Sequence, residues 1–366
     1  MKTHDARNER IKRRYLTFLK EARRRSEASI DSVASALHRF EKYTNFRDFR
    51  KFHIQQAIGF KAHLVRETNA RTGTPLSKAT LLTTVSAVKT FFQWLSEQHG
   101  YRSLKYVDAD YFDLSEKDTR VARAHREQRV PTLEQIRHVI ATMPEGSEVE
   151  RRNRTLLAFT ILTGARDGAI ASFKLKHIHI ADGRLDHDAR EVKTKASKTF
   201  TTDFFPVGND LRAMVVEWVD FLRTVKRWGP DDPLFPSTKV GQGETLRFEV
   251  MGIDRGHWRN AQPIRNIFRE AFERVGIPYA NPHSFRKTLA RLGQQRCRTP
   301  EEFKAWSQNL GHDQVATTLT SYGEVARVRQ AEIMRSLADP DVHDNRAEEA
   351  RRLLETALAL SHRRTA

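Results

Sequence analysis

The sequence contains a single cysteine, Cys297, among its 366 residues. One cysteine can form neither an internal disulfide nor a metal site built from several thiolates, so both are excluded. No stretch approaches the roughly 20 consecutive apolar residues that a membrane-spanning helix needs. The basic start of the chain is not followed by the apolar segment of a signal peptide. We therefore expect a soluble, cytoplasmic protein with no membrane partner.

The chain also lacks the glycine-rich loop that binds nucleotide phosphates. His177, His179 and His187 lie close together in sequence, but no carboxylate completes a set of metal ligands around them. We interpret these histidines as exposed or half-buried residues of a strand. The sequence therefore predicts neither a metal ion nor any other cofactor.

Positive charge is abundant and unevenly distributed. The chain holds 64 lysines and arginines against 46 acidic residues, a formal net charge of +18. Residues 1–105 alone hold 22 basic and nine acidic residues, so this segment contributes +13 of the total. Hydrophobic residues make up 39% of the chain, which is enough for folded cores. A folded protein with this charge is suited to a polyanionic partner, and the N-terminal segment is suited to contact phosphates. We expect the partner to be double-stranded DNA and the protein to be associated with the nucleoid.

The first 105 residues have the apolar spacing of helices. Apolar residues recur every three or four positions in the segments 30–40, 52–64 and 77–95. Ser77 is a suitable N-cap for the last of these helices, and Gly100 follows its end. We predict a small, basic, all-helical domain over 1–105.

A change of composition follows this segment. Residues 106–130 turn from acidic and aromatic to basic, which indicates a linker between domains. Pro131, Thr132 and Glu134 are typical of a helix start, and helical patterns then dominate to about residue 336. Within them, 178–207 contains a D-G turn and short β-branched or aromatic runs, which predict two or three antiparallel strands. The expected fold is mainly α with a small antiparallel β-sheet: a helical domain, then a mixed α/β domain over 131–336.

Residues 337–366 have the pattern of a charged helix. We expect this tail to contact a neighbouring protomer, and a solvated helix without such a contact is the alternative.

Four local sequences contain the residues best suited to chemistry. The first, LLAFTILTGARDG, places Arg166 after a turn of small residues, and the second, KTKASKTFTTDFFPV, places Lys198 eight residues before Pro206. The third, NPHSFRKTLA, holds His283 and Arg286 one helical turn apart. The fourth, NLGHDQVATTLTSYG, places His312 ten residues before Tyr322. Each pattern alone is weak evidence, but all four occur in one chain beside a basic helical domain.

In order and spacing these sequences resemble the tyrosine recombinases, the phage-integrase type of site-specific DNA recombinase. The resemblance covers about 131–330, and the N-terminal helical domain is similar to the core-binding domain of that family. It implies attack of Tyr322 on a DNA phosphate, a 3′-phosphotyrosine intermediate that needs neither metal nor ATP, and a tetramer on paired sites. It also allows for accessory or directionality proteins as partners. By this resemblance both domains form a C-shaped clamp around duplex DNA.

The residue types suit this chemistry on physical grounds. Two arginines can hold the non-bridging oxygens of a phosphate with planar, permanently charged guanidinium groups, a role for Arg166 and Arg286. A tyrosine with an ordinary pKa near 10 needs nearby cations or a base, and His283 is the expected base or hydrogen-bond partner of Tyr322. His312 would bond a non-bridging oxygen.

A flexible lysine on a hairpin suits protonation of the leaving 5′ oxygen. The resemblance favours Lys198, with Lys195 next and Lys193 after it.

In two places the chain differs from the family pattern. The spacing from the L-G-H sequence to Tyr322 is about one residue longer than in the commonest version, and one position carries a different type of residue. Many members carry an acidic residue three positions after the first arginine, where this chain has Ala169; Asp167 lies nearby instead.

Two other functions remain open from the sequence. One is a type IB topoisomerase, which reseals the strand that it cuts, and the other is a non-catalytic DNA-binding protein of the same fold.

Overall fold

The computed structural model describes residues 4–69, 73–124, 130–194, 197–242, 246–312, 330–331 and 334–335. The chain divides into two compact units, 1–126 and 127–366, each with its own hydrophobic core. Within the described ranges, no helix is long and apolar enough to cross a membrane.

The first unit is all-helical, as the periodicity predicts. Its helices are α1 (Ala6–Glu21), α2 (Glu27–Tyr43), α3 (Ile54–Arg66), α4 (Lys78–Ser96) and α5 (Glu116–Arg123). Ser77 is the N-cap of α4, because its hydroxyl accepts the backbone N–H of Thr80 at 3.1 Å. The core is rich in phenylalanine, and ring pairs such as Phe40 with Phe92 meet edge to face at 5.3 Å.

The segment that we predicted as a linker differs from that prediction. Residues Tyr106–Phe112 form a 3₁₀ helix and α5 follows it, and both belong to the first unit. Phe112 is fully buried among the rings of Phe40, Phe52 and Phe92. Burial of one phenylalanine stabilises this segment by about 1.5–3 kcal/mol, so the folded unit extends well past residue 105.

The second unit combines helices with two small sheets. Its helices are α6 (Leu133–Ala141), α7 (Glu148–Thr163), α8 (Asp167–Ile170), α9 (Asn209–Asp220), α10 (Gln262–Arg274), α11 (Pro282–Arg296) and α12 (Pro300–Asn309). A π-helical turn, Phe221–Val225, continues α9. Thr132 is the N-cap of α6, where the sequence predicts a helix start. The centre of α7 is buried all round in the core of this unit.

The predicted strands form a three-stranded antiparallel sheet in the order β1 (Ile178–His179), β2 (Arg184–His187), β3 (Phe200–Asp203). The loop between β2 and β3 carries the candidate lysines. In the pairing of these two strands Leu185 lies opposite Thr202 and His187 lies opposite Phe200. The expected fold class, mainly α with a small antiparallel sheet, is therefore confirmed.

A second hairpin, β4 (Thr238–Gln242) with β5 (Phe248–Ile253), was not predicted from the sequence. Most of its side chains are exposed on both faces, so the alternation that marks a half-buried strand is absent. Arg152 of α7 holds the start of this hairpin, since its guanidinium donates to the carbonyl of Pro236 at 2.9 Å and to the hydroxyl of Thr238 at 3.0 Å.

Candidate active site

A tight turn at the end of α7 positions Arg166. Gly164 ends the helix with a φ of +61°, a conformation that disfavours any residue with a side chain. A Cβ at this position would also lie 3.1 Å from the methyl groups of Leu289 and Leu310. The chain therefore turns closely over α11 and the end of α12, and Arg166 follows as the N-cap residue of α8.

The first turn of α11 supplies His283 and Arg286. Asn281 caps the helix, its side chain accepting the N–H of Ser284 at 3.0 Å, and Pro282 occupies the first helical position. Arg286 follows His283 by three positions, so the two lie on one face of the helix. His283 is exposed, whereas Arg286 is 95% buried.

Arg286 connects three parts of the unit. Its Nη1 donates to the carbonyl of Gly164, and its Nη2 donates to the carbonyl of Leu310 at 2.5 Å and lies 3.1 Å from Nε2 of His312. Its Nε is buried and has no hydrogen-bond partner among the described residues. The side chain thus joins the Arg166 turn, α11 and the segment that follows α12.

The site concentrates positive charge. Burial and the charge of the nearby Arg166 guanidinium together lower the pKa of Arg286 to about 9, and burial is the larger cause. Burial also lowers the pKa of Arg166, which is half-buried. Within the described residues no ion pair joins either arginine to a carboxylate. Two neighbouring buried cations are costly, and a bound anion would relieve that cost.

The pKa of His283 responds to the same positive charges. Withdrawal of its ring from water lowers this pKa, and the charges of Arg286, Lys287 and Arg166 lower it further. His283 is therefore neutral at neutral pH, in the state in which an imidazole can accept a proton.

His312 follows the end of α12. Gly311 has a φ of +69°, and a Cβ there would lie 2.7 Å from the ring of Phe200. A glycine is thus required for the chain to pass the ring and bring His312 to Arg286. Because Arg286 can only donate, Nε2 of His312 accepts in this contact and carries no proton.

The candidate lysines lie in or beside the loop between β2 and β3. Nζ of Lys198 is 5.9 Å from the ring centroid of Phe200, which stacks on His187 at 4.1 Å. Lys193 is tied to the turn after α8, where its N–H donates to the hydroxyl of Ser172 at 2.9 Å, and its Nζ is 3.5 Å from the carbonyl oxygen of Arg259. Lys195 and Tyr322 lie outside the described residues. The structure thus brings together Arg166, His283, Arg286 and His312, with Lys198 and Lys193 on the neighbouring hairpin loop.

His187 and His177 correct our interpretation of these histidines as exposed or half-buried. His187 is 3% exposed, and burial together with the charges of Arg286 and Arg166 lowers its pKa to about 3. His177 is buried too, and its Nδ1 accepts the N–H of Lys174 at 2.9 Å. His179 is half-buried and pairs with Asp186 at 2.8 Å. The acidic neighbours of His187 in sequence, Asp186 and Asp188, gave no sign that its ring is buried between Phe173 and Phe200.

In the described residues, neither Asp167 nor Ala169 pairs with Arg166 as an orienting acidic residue would. Ala169 is buried in the core, and Asp167 pairs with Arg265 of α10 at 2.7 Å. In the part of the chain that is described, no group of three or more His, Cys, Asp or Glu side chains is arranged to hold a metal ion.

Comparisons with known proteins identify the family of the chain. A model described as the phage integrase family matches residues 129–329, and one described as the phage integrase N-terminal SAM-like domain matches residues 13–99. No curated protein sequence matches the chain.

Three solved structures share its fold. A lambda integrase dimer bound to a COC′ core site matches 87% of this chain and 78% of its own, with a TM-score of 0.60 at 14% identity. XerH site-specific recombinase bound to a palindromic difH substrate matches 90% and 85%, with a TM-score of 0.59 at 17% identity. Tn1549 transposon integrase in complex with transposon right end DNA matches 90% and 99%, with a TM-score of 0.58 at 14% identity.

The first family model spans more than half of the chain and includes every residue of the arginine and histidine cluster. The chain therefore belongs to the phage integrase family and is a tyrosine-type site-specific DNA recombinase.

Proposed function

We propose that the protein cuts and rejoins duplex DNA through a 3′-phosphotyrosine formed by Tyr322. The hydroxyl oxygen of Tyr322 attacks the scissile phosphorus, and its proton passes to a base. The bond from phosphorus to the 5′ oxygen breaks, and a lysine gives that oxygen a proton. A 5′-hydroxyl of the partner duplex then attacks the phosphotyrosine and releases the tyrosine. The ester is conserved throughout, so we expect no ATP requirement.

The observation that supports this proposal best is the proximity of Arg286 and Arg166, neither of which forms an ion pair with a carboxylate in the described residues. Their charges are suited to the non-bridging oxygens, on which negative charge develops during the displacement. The buried, unpartnered Nε of Arg286 offers a further donor. Because side chains supply this charge, we expect cleavage without a divalent metal.

The histidines have separate roles in this scheme. His283 is exposed and has a lowered pKa, so its neutral ring can accept the proton of Tyr322. His312, held by Arg286, would donate from Nδ1 to a phosphate oxygen, since its Nε2 is occupied as an acceptor.

DNA contacts extend over both units in this proposal. The net charge of +13 on residues 1–105 is suited to phosphate contacts along the duplex. Recombination joins two sites, so we propose a homotetramer on DNA; a solved lambda integrase structure is a tetramer bound to a Holliday junction. The tail at 337–366 lies outside the described residues, and its contact with a neighbouring protomer stays a prediction. Accessory proteins and a place in the nucleoid are part of the same proposal.

A suicide substrate tests the nucleophile. A nick close to the scissile phosphate lets the short fragment diffuse away, which traps the covalent adduct on the 3′ end for gel analysis and peptide mapping. With excess chelator present, we expect one adduct, at Tyr322, and its loss in Tyr322→Phe with unchanged site binding, because only one hydroxyl is removed.

Tyr279→Phe is the matched control, because Tyr279 is partly exposed in the same unit and packs against Arg269. An adduct on Tyr279, or cleavage that needs a divalent metal and persists in Tyr322→Phe, would refute the mechanism.

The identity of the proton donor is tested by changing the leaving group of the substrate. Lys198→Ala, Lys195→Ala and Lys193→Ala are compared on a normal substrate and on one with sulfur at the 5′ bridging position. A thiol has a pKa near 8.5, so a sulfur leaving group departs as a thiolate and needs no proton. We expect Lys198→Ala to be slow on the normal substrate and to recover on the sulfur substrate. The same recovery in the variant at Lys195 or Lys193 instead would assign the role to that residue.

A further inference from the structure

Four consecutive residues, beginning with the last residue of α12, contact neighbouring parts of this unit. Leu310 accepts from Arg286, Gly311 passes the ring of Phe200, and His312 bonds Arg286. The first of the four, Asn309, reaches the sheet instead. None of the chemistry proposed for Tyr322, the arginines or the histidines makes use of Asn309.

The side chain of Asn309 pairs with the backbone of β3 in both directions. Its Oδ1 accepts the N–H of Asp203 at 2.7 Å, and its Nδ2 donates to the carbonyl of Asp203 at 2.9 Å. Strand β3 is at the edge of its sheet, where these backbone groups would otherwise lack a strand partner. The amide of Asn309 therefore replaces one residue of a neighbouring strand.

A second bond strengthens the connection and continues into the site. The hydroxyl of Thr202 donates to the backbone carbonyl of Asn309 at 3.0 Å, so it must accept in its 3.2 Å contact with Nε2 of His187. Thr202 and His187 are both buried. The proton of neutral His187 is therefore on Nε2, and an unbroken series of hydrogen bonds runs from β2 through β3 to the end of α12.

We propose that Asn309 is a positioning residue that fixes the lysine-bearing hairpin relative to the segment that carries His312. Position along the chain supports this role, because β3 begins two residues after Lys198 and Asn309 precedes His312 by three. The attacking group and the proton donor must face opposite sides of one phosphate, and an error of about 1 Å in such an arrangement can cost about a hundredfold in rate. The proposal rests on the proposed cleavage chemistry.

Asn309→Ala removes both side-chain bonds to Asp203 and adds no charge. We expect DNA binding to be unchanged and the single-turnover cleavage rate to fall by roughly 30- to 100-fold. Because the displaced group is the hairpin that supplies the proton, a substrate with sulfur at the 5′ bridging position should restore the rate to within about threefold of wild type. A loss of folded protein would slow both substrates equally, so this recovery separates positioning from stability.

Gln308→Ala is the matched control, since Gln308 is an adjacent, exposed amide on the same helix, and we expect wild-type rates from it. Thr202→Val is a second variant that breaks the same connection from the strand side, and it should show the same recovery with the sulfur substrate.

Rates within twofold of wild type for Asn309→Ala, or equal slowing on both substrates while Thr202→Val behaves like wild type, would overturn the positioning role alone. Wild-type protein that forms no tyrosine adduct on either substrate would overturn the proposed function and this inference together. The two failures are therefore distinguishable.

Discussion

Replacement of Arg286 by lysine separates the chemical role of this residue from its structural role. The guanidinium contacts the carbonyls of Gly164 and Leu310 and the ring of His312, and all three contacts depend on its planar shape. A lysine ammonium on a narrower stem cannot span the two carbonyls, so at least one stays buried without a donor. An unsatisfied buried carbonyl costs about 1–3 kcal/mol in the free energy of unfolding.

That cost converts to a measurable shift in melting temperature. For a folded unit of this size, 1 kcal/mol corresponds to about 2–4 °C, so Arg286→Lys should melt roughly 2–12 °C below wild type. Loss of the two-pronged contact with the phosphate should also reduce the single-turnover cleavage rate by about 10²–10³. Calorimetry of the unliganded protein measures the first quantity, and suicide-substrate cleavage well below the melting temperature measures the second.

The two measurements refute different parts of the reasoning. A melting temperature within about 1 °C of wild type would show that the contacts of Arg286 with the two carbonyls contribute little to stability. A cleavage rate within about threefold of wild type would show that the guanidinium does not stabilise the transition state. Arg166→Lys is the matched comparison, because Arg166 forms no hydrogen bond to a carbonyl in the described residues. It should lose cleavage to the same degree with a much smaller change in melting temperature.

Two further predictions concern pH and salt. Folded His187 has a pKa of about 3, below the value near 6.5 of an unfolded histidine, so the unfolded state binds the extra proton between these values. This stabilisation is complete above pH 6.5 and is lost as the pH falls, so the wild-type free energy of unfolding should drop by about 2 kcal/mol between pH 7 and pH 5. Urea unfolding measures this drop, and His187→Gln should abolish it. An unchanged dependence of unfolding free energy on pH in the variant would contradict the burial of a neutral ring. A fragment of residues 127–366 should bind its site more weakly and with a shallower dependence on salt than the full chain, measured by fluorescence anisotropy; equal slopes would show that the first unit contributes no phosphate contacts.

The candidate site residues were selected from the sequence because their types suit phosphate chemistry and their order resembles that of the tyrosine recombinases, and their roles stay predictions. A phosphate needs guanidinium donors and an activated nucleophile, and only a few local sequences hold such residues in a suitable order. The helices were predictable as well, because burial of one face leaves a regular apolar spacing, as in α4. The strands in 178–207 were predictable from other local signals, a D-G turn and short β-branched or aromatic runs.

Contacts between distant residues could not be predicted in this way. Asn309 and Asp203 are 106 positions apart, and nothing in either local sequence indicates that an amide replaces a strand. His187 was interpreted as an exposed or half-buried strand residue, yet its ring is buried, stacks on Phe200 and lies within the field of Arg286 and Arg166. The first unit extends past residue 105 because Phe112 is buried, and its acidic neighbours concealed that role. In each case, packing decides burial where local composition suggests the opposite.

The repulsion between Arg166 and Arg286 gives a physical reason for the neutral hydrogen-bond partners of Arg286. Two close cations that lack a carboxylate disfavour the folded state, and a carboxylate that neutralised them would compete with the phosphate for the same donors. The carbonyls of Gly164 and Leu310 orient Arg286 without neutralising it, because a carbonyl is a dipole with no net charge. The same logic places His187 and His312 in the neutral form against the guanidinium groups. The positive field thus stays available for a phosphate, and the stability that it costs is recovered when DNA binds the folded state.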